Sequence, residues 1–173
     1  QESGCVSIVL APESGSTRVL TEIAVKGKVD QHFFDHIVNL TRKAHQIGLK
    51  TTAFFIIGFP GEKVEEIKMS IDYACKLAKA GLDEALFSIF IPLPATPLWD
   101  VVKSQFKDEE VDFLEFLAQT NLGKVRSWCE DISDSELALL RSAGYKKFLL
   151  TRIASPPHRC QKCFQYYSGC RGN

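Results

Sequence analysis

The feature that most constrains the fold is an apolar run, residues 53–57, which leads into a turn rich in glycine and proline. The run contains no polar residue, a pattern that predicts a strand buried on both faces of a parallel sheet. Gly58, Pro60 and Gly61 force the chain to reverse sharply. Glu62 would then stand at a helix amino terminus, where negative charge is favoured. We therefore expect a strand–turn–helix unit whose junction lies at the ligand-binding edge of an α/β sheet.

Strand and helix patterns alternate over the first hundred residues. The predicted strands span residues 6–11, 51–57 and 84–91, the first of them ending at Pro12. The predicted helices begin near Thr17, at Asp30 and at Lys63. Alternation of this kind predicts a parallel sheet with right-handed crossovers. A capping box at residues 133–136 predicts a further helix to about Leu150.

Composition bounds the class of protein. The 173 residues are 45% hydrophobic and 24% charged with no net charge, which is typical of one soluble domain with its own core. Charge neutrality gives no support for nucleic acid or an anionic membrane as the main partner. Scattered cysteines (Cys5, Cys75, Cys129) favour reduced thiols, and hence a cytoplasmic location, over an extracellular disulfide framework.

The first strand would be a bare hydrophobic edge, which isolated domains avoid. The chain also begins at Gln1 rather than at a methionine. Both features predict a sheet that continues into residues outside this sequence.

Three loops follow the predicted strands, at residues 13–16, 58–62 and 92–97. The first loop offers hydroxyls and a carboxylate, the second an accessible backbone beside an apolar residue, and the third a segment made rigid by prolines. This mixture suits a ligand that joins a polar part to a flat base. Each loop alone is weak evidence, because a glycine–proline turn is usually only a turn and a Glu-Ser-Gly-Ser segment is usually a helix cap.

Together, in this order and spacing, these segments resemble the carboxyl-terminal half of a radical S-adenosylmethionine enzyme. They are most similar to the branch that often carries a cobalamin-binding domain and to the related methylthiotransferases. The matching segments are residues 11–16, 18–20, 26–27, 55–62, 92–94 and 96–98.

The resemblance implies an α/β fold in which residues 1–100 form about three β/α units, the carboxyl-terminal half of a partial TIM-type (β/α)6 barrel. A helical extension (101–155) and a cysteine-containing tail (156–173) would follow. The implied cofactors are S-adenosylmethionine, a [4Fe-4S] cluster that cleaves it reductively, and, on a separate domain of some members, cobalamin. The implied reaction is a radical-based substrate modification such as methylation or methylthiolation.

Six positions carry over as cofactor-binding residues: Glu13, Ser14, Ser16, Ile57, Gly58 and Pro92. By resemblance, the first three approach the ribose or methionine part, the next two the adenine, and the last completes the pocket with its backbone. The chain departs from the family at Ala95, where glycine is common, and in lacking the Cys-x3-Cys-x2-Cys cluster motif. Three thiolates are needed to hold such a cluster. We therefore expect the upstream half of the same barrel as partner, and no reaction by this polypeptide alone.

Cys160, Cys163 and Cys170, with His158 nearby, could bind zinc or an iron–sulfur cluster. The alternative is a solvated tail with incidental thiols. The rival function for the whole chain is a non-catalytic α/β binding or scaffold module whose metal site lies in this tail.

Overall fold

The computed structural model describes residues 4–24, 27, 29–105, 114, 117 and 124–155. The strands are β1 (Ser7–Glu13), β2 (Lys50–Ile57) and β3 (Glu84–Ile89). The α-helices are α1 (Gln31–Gln46), α2 (Val64–Ala80), α3 (Pro97–Val102) and α4 (Asp134–Ala154). A π-helical turn (Val19–Ile23) follows β1, and a 3-10 turn (Lys103–Gln105) follows α3.

The three strands form one parallel sheet in the order β1-β2-β3. Ala53 at the centre of β2 lies opposite Leu10 on one side and Ala85 on the other. Helix α1 connects the first two strands and α2 connects the next two. The predicted α/β class with a parallel sheet is confirmed.

Strand β2 corrects the expectation of burial on both faces. Ala53, Phe55 and Ile57 are buried in a core shared with α1, α2 and α4, whereas Phe54 is 37% exposed and Ile56 is half-buried. These three helices pack on one face of the sheet. An apolar run cannot reveal this, because both faces carry apolar side chains whether or not a partner covers them.

Strand β1 continues through Pro12, where the sequence predicted its end. The register with β2 shifts between Leu10 and Glu13, so the proline falls at an irregularity where a missing N–H is tolerated. Strand β3 ends at Ile89 rather than residue 91.

Two predicted capping residues, Asp30 and Ser133, accept backbone N–H groups at their helix starts. Asp30 Oδ1 accepts the N–H of Phe33 at 3.2 Å, and Ser133 Oγ accepts the N–H of Glu136 at 3.3 Å. Helix α4 runs four residues past its predicted end, and within this extension Arg152 donates to Asp83 Oδ1 at 3.0 Å.

Helix α4 also meets the outer edge of the sheet. The Tyr145 hydroxyl accepts the N–H of Phe87 at 3.0 Å and lies 3.4 Å from the carbonyl oxygen of the same residue. Leu137 of α4 is fully buried in the main core. Within the described ranges, no helix is long and apolar enough to cross a membrane.

Candidate functional site

A cavity of about 290 Å³ opens at the carboxyl edge of the sheet. That volume is at the lower end of the range for small-molecule pockets, roughly 300–1,000 Å³. Its walls come from the ends of all three strands, the π-helical turn and the loop before α3. The lining residues are Glu13, Ile23, Ala24, Ile56, Phe59, Phe90, Ile91, Leu93, Thr96, Pro97 and Leu98. This edge is where ligands bind in parallel α/β sheets.

Glu13 supplies the ionisable group of this lining, and Thr96 supplies its hydroxyl. The Thr96 hydroxyl caps α3: it accepts the N–H of Trp99 at 3.3 Å and donates to the Leu93 carbonyl at 2.7 Å. Glu13 therefore contributes the charged group among the lining residues.

Backbone strain lies on two sides of the cavity. Glu13 has a φ of 63° and Ala95 has a φ of 64°, in the left-handed region that side chains with a Cβ rarely adopt. Such strain concentrates at functional sites. The conformation of Ala95 also gives a physical reason for the glycine that the resembling family favours there.

Beneath the cavity lies a second apolar core, separate from the one between sheet and helices. Its buried members are Val19, Ile23, Phe59, Phe90, Trp99, Val102 and Trp128. The rings of Phe59 and Phe90 lie 4.9 Å apart between centroids. Both residues also line the cavity, so the packing of this core contributes to the shape of the wall.

The two serines expected near the cofactor face helix α2 instead of the cavity lining. Ser14 is fully buried, with its Oγ 3.1 Å from the Oγ of Ser70. The Ser16 hydroxyl donates to Glu66 Oε1 at 2.9 Å. In this structure both hydroxyls join the loop after β1 to α2.

An ion pair strengthens the same junction. Arg18 donates to both carboxylate oxygens of Glu66 and to the carbonyl oxygen of Gly61. Burial alone would raise the pKa of Glu66, but the hydrogen bonds from Arg18, from the Lys63 N–H and from Ser16 outweigh it and lower that pKa. Glu66 therefore remains an anion that holds the loop after β1 against the start of α2.

Ile57 and Gly58, expected beside an adenine, lie at the end of β2. The Ile57 side chain is fully buried in the helix-facing core. Gly58 has a φ of 86°, and a Cβ added there would stand 2.7 Å from Leu137 Cδ2. The glycine thus serves backbone geometry and contact with α4, and any contact with a ligand would come from its backbone.

Pro92 is buried after the end of β3. It is absent from the cavity lining, whereas its neighbours Ile91 and Leu93 belong to it.

Glu62 immediately precedes Lys63, the N-cap of α2, and its side chain contacts the turn before the helix. Its Oε2 turns back to accept the N–H groups of Gly58 at 2.6 Å and Phe59 at 3.1 Å. The side chain is buried, and burial raises its pKa to about 7 despite those two hydrogen bonds.

The tail cysteines Cys160, Cys163 and Cys170 and the nearby His158 lie outside the described residues. Across the part of the chain that the structure describes, no three potential ligands gather as a metal site would require. Cys75 and Cys129 are buried; burial raises the pKa of the Cys129 thiol to about 11, so it is neutral and poorly suited to bind metal.

Of the predicted cofactor-binding residues, Glu13 lines the cavity, whereas sequence reasoning missed Ile56, Phe59 and Phe90. The available signal was strand parity. Because side chains alternate across a strand, Ile56 lies on the face opposite Ile57. The prediction of Ile57 as a cofactor-binding residue therefore placed the site on the face of the sheet that the helices cover.

No protein-family model matches the chain. It is similar to an uncharacterized methyltransferase of Pyrococcus horikoshii, with 38% identity over 58% of this chain and 20% of that protein. It is also similar to cytidylyl-2-hydroxyethylphosphonate methyltransferase of Streptomyces wedmorensis, with 33% identity over 63% of this chain and 20% of that protein. A third relative is tRNA-2-methylthio-N(6)-dimethylallyladenosine synthase of a Nitratiruptor species, with 30% identity over 82% of this chain and 32% of that protein.

The chain therefore spans between a fifth and a third of the length of these relatives. Two relatives are named for methyl transfer and one for a methylthio-modified adenosine in tRNA. The chain is thus related, at modest identity, to enzymes named for methyl or methylthio chemistry.

Proposed function

We propose that this chain is the carboxyl-terminal half of the barrel core of a radical S-adenosylmethionine enzyme, and that its carboxyl-edge cavity binds part of that cofactor. The observation that carries the proposal is the cavity itself. It lies at the ends of three parallel strands, in a chain whose relatives are named for methyl or methylthio chemistry.

The described residues fit the adenosyl part of S-adenosylmethionine. The wall is predominantly apolar, and the rings of Phe59 and Phe90 offer flat surface to a base. Ile56 and Leu98 would exclude water from the same space. Glu13 would meet hydroxyl or ammonium groups of the cofactor at the polar end of the cavity. In such an enzyme S-adenosylmethionine supplies the radical or methyl group that modifies the substrate.

The described residues do not fit a [4Fe-4S] cluster. The thiols of Cys75 and Cys129 are buried, and no group of three potential ligands occurs within the described ranges. The Cys-x3-Cys-x2-Cys motif is also absent from the sequence. The proposal therefore assigns the cluster ligands to the upstream half of the same barrel, and cobalamin, where it is used, to a separate domain.

Two features support an upstream partner. The face of the sheet opposite the helices carries Val9, 64% exposed, and Phe54, 37% exposed. Strand β1 is an end strand of the sheet in the described part of the chain. A further parallel strand paired with β1 would extend the sheet and allow it to curve over the apolar face.

The reaction class is tested with the intact protein that contains this chain, reconstituted anaerobically with iron and sulfide. With S-adenosylmethionine and a strong reductant, we expect release of 5′-deoxyadenosine that depends on the iron–sulfur cluster. A cluster-loaded protein that binds S-adenosylmethionine but never cleaves it, with or without candidate substrates, would contradict the proposed chemistry.

A further inference from the structure

Glu62 is a buried acid outside the lining of the carboxyl-edge cavity, yet it contacts the turn that forms part of the wall of that cavity. It is 3% exposed, and its Oε2 accepts the N–H groups of Gly58 at 2.6 Å and Phe59 at 3.1 Å. Its other oxygen, Oε1, has no hydrogen-bond partner within the described part of the chain. Burying a carboxylate with one unpaired oxygen costs free energy, so the placement of Glu62 calls for a structural explanation.

Both backbone groups of Phe59, its N–H and its carbonyl oxygen, form hydrogen bonds. Its N–H donates to Glu62, while its carbonyl oxygen accepts the Glu62 N–H at 3.0 Å and the Cys129 thiol at 3.2 Å. Its ring packs on Phe90, and both residues line the cavity. A change at the Glu62 carboxyl group can therefore alter the cavity wall through its hydrogen bond to Phe59.

Three charged or titratable groups face Glu62 from the elements packed around it. Glu66 on α2 opposes ionisation of Glu62, and Arg18 from the loop after β1 favours it. Cys129, on the segment before α4, stays a neutral thiol because burial raises its pKa to about 11. Burial outweighs these influences and raises the pKa of Glu62 to about 7, so the group changes charge near neutrality.

We propose that Glu62 is a positioning residue whose ionised carboxylate fixes the Gly58–Phe59 turn, so that the cavity binds its adenosyl ligand more tightly when Glu62 is charged. This inference rests on the proposed function. An ionised oxygen accepts stronger N–H hydrogen bonds than a neutral acid does. Protonation on Oε1 leaves Oε2 in place but weakens its two hydrogen bonds and loosens the wall at Phe59.

The test is titration of the intact, cluster-reconstituted protein with S-adenosylmethionine at pH 6, 7 and 8. We expect the Kd to be about five- to tenfold higher at pH 6 than at pH 8, following the ionised fraction of a group with a pKa near 7. Glu62→Gln should lose this dependence and bind weakly throughout. Glu65→Gln, an exposed neighbour three residues away, should keep the wild-type profile.

Identical pH profiles for the wild type and Glu62→Gln would overturn the inference. Should Glu62→Gln fail to fold, Cys129→Ala provides a second variant, because it removes the thiol that donates to the Phe59 carbonyl oxygen. It should weaken binding at every pH while keeping the wild-type pH profile, and unchanged affinity would contradict the role of Phe59.

A second readout separates this inference from the proposed function. In ligand-free protein, the amide NMR signals of Gly58 and Phe59 should titrate together near pH 7 and cease to do so in Glu62→Gln. If no S-adenosylmethionine binds at any pH, the proposed function fails, and the amide titration still decides the role of Glu62.

Discussion

Glu62 lies just before α2 and Glu66 lies in its first turn, yet their carboxyl groups ionise differently. Hydrogen bonds from Arg18, Lys63 and Ser16 lower the pKa of Glu66 against the effect of burial. Glu62 has two backbone donors and, among the described residues, no cation in contact, so burial prevails and raises its pKa to about 7. The sequence could not reveal the difference, because both residues simply read as acids near a helix start.

The raised pKa of Glu62 predicts a pH-dependent stability. The unfolded acid ionises near pH 4.5 and the folded one near pH 7, so the folded state retains the proton across this interval. The stabilisation that protonated Glu62 gives the folded state is fully present below pH 4.5 and is lost as the pH rises through 7. The free energy of unfolding should fall by about 3 kcal/mol across this interval. Urea unfolding of wild type and Glu62→Gln at pH 4.5 and 8 measures this change.

Glu62→Gln should remove that decline, while Glu65→Gln should retain it. Parallel pH dependence in the wild type and Glu62→Gln would show that another group causes the loss of stability.

Gly58 and Gly61 form a natural pair for measuring the contact between the turn and α4. Both have positive φ, but a Cβ at Gly58 meets Leu137 Cδ2 at 2.7 Å whereas a Cβ at Gly61 meets open space. Gly61→Ala should cost only the backbone strain, about 1–2 kcal/mol. Gly58→Ala should cost about 1 kcal/mol more in denaturant unfolding. Equal losses of stability in the two variants would mean that the Leu137 side chain can move away from the added Cβ at no cost in free energy.

At the scale of elements, alternation, caps and turn residues predicted much of the chain. Asp30 caps α1, and Gly81 ends α2 in the left-handed conformation as its position suggests. The continuation of β1 through Pro12 was not predictable, because it depends on a register shift against β2. The one-sided burial of β2 depends on where three helices pack, which local sequence does not encode.

The contact between α4 and β3 predicts a local effect at the sheet edge. Tyr145→Phe removes the hydroxyl that accepts the Phe87 N–H, and should lower the free energy of unfolding by about 1 kcal/mol. Hydrogen exchange at the Phe87 amide should become faster. Tyr73→Phe is the matched control, since it loses a bond to the Phe34 carbonyl away from this edge. If both variants leave Phe87 exchange unchanged, Tyr145 does not protect the edge.

At the scale of the whole molecule, the sheet has one covered face and one with exposed apolar side chains, and the cavity lies at its carboxyl edge. The α/β class and the sheet edge that holds the cavity followed from the sequence, through three strand–turn–helix signals. Among the cavity residues Glu13 also followed from the sequence, but Ile56, Phe59 and Phe90 did not, because the second apolar core around Phe59 and Phe90 is a property of tertiary packing.

The affinity of the intact, reconstituted protein for S-adenosylmethionine tests the central claim most directly, when wild type is compared with Ile56→Trp. Ile56 lines the cavity, and a larger ring there should fill part of its 290 Å³. Phe54→Trp changes the same strand and face outside the lining and serves as control. We predict at least tenfold weaker binding for Ile56→Trp and less than threefold change for the control, roughly 1.4 against 0.6 kcal/mol. Wild-type affinity in a folded Ile56→Trp protein would contradict the assignment of this cavity to the cofactor.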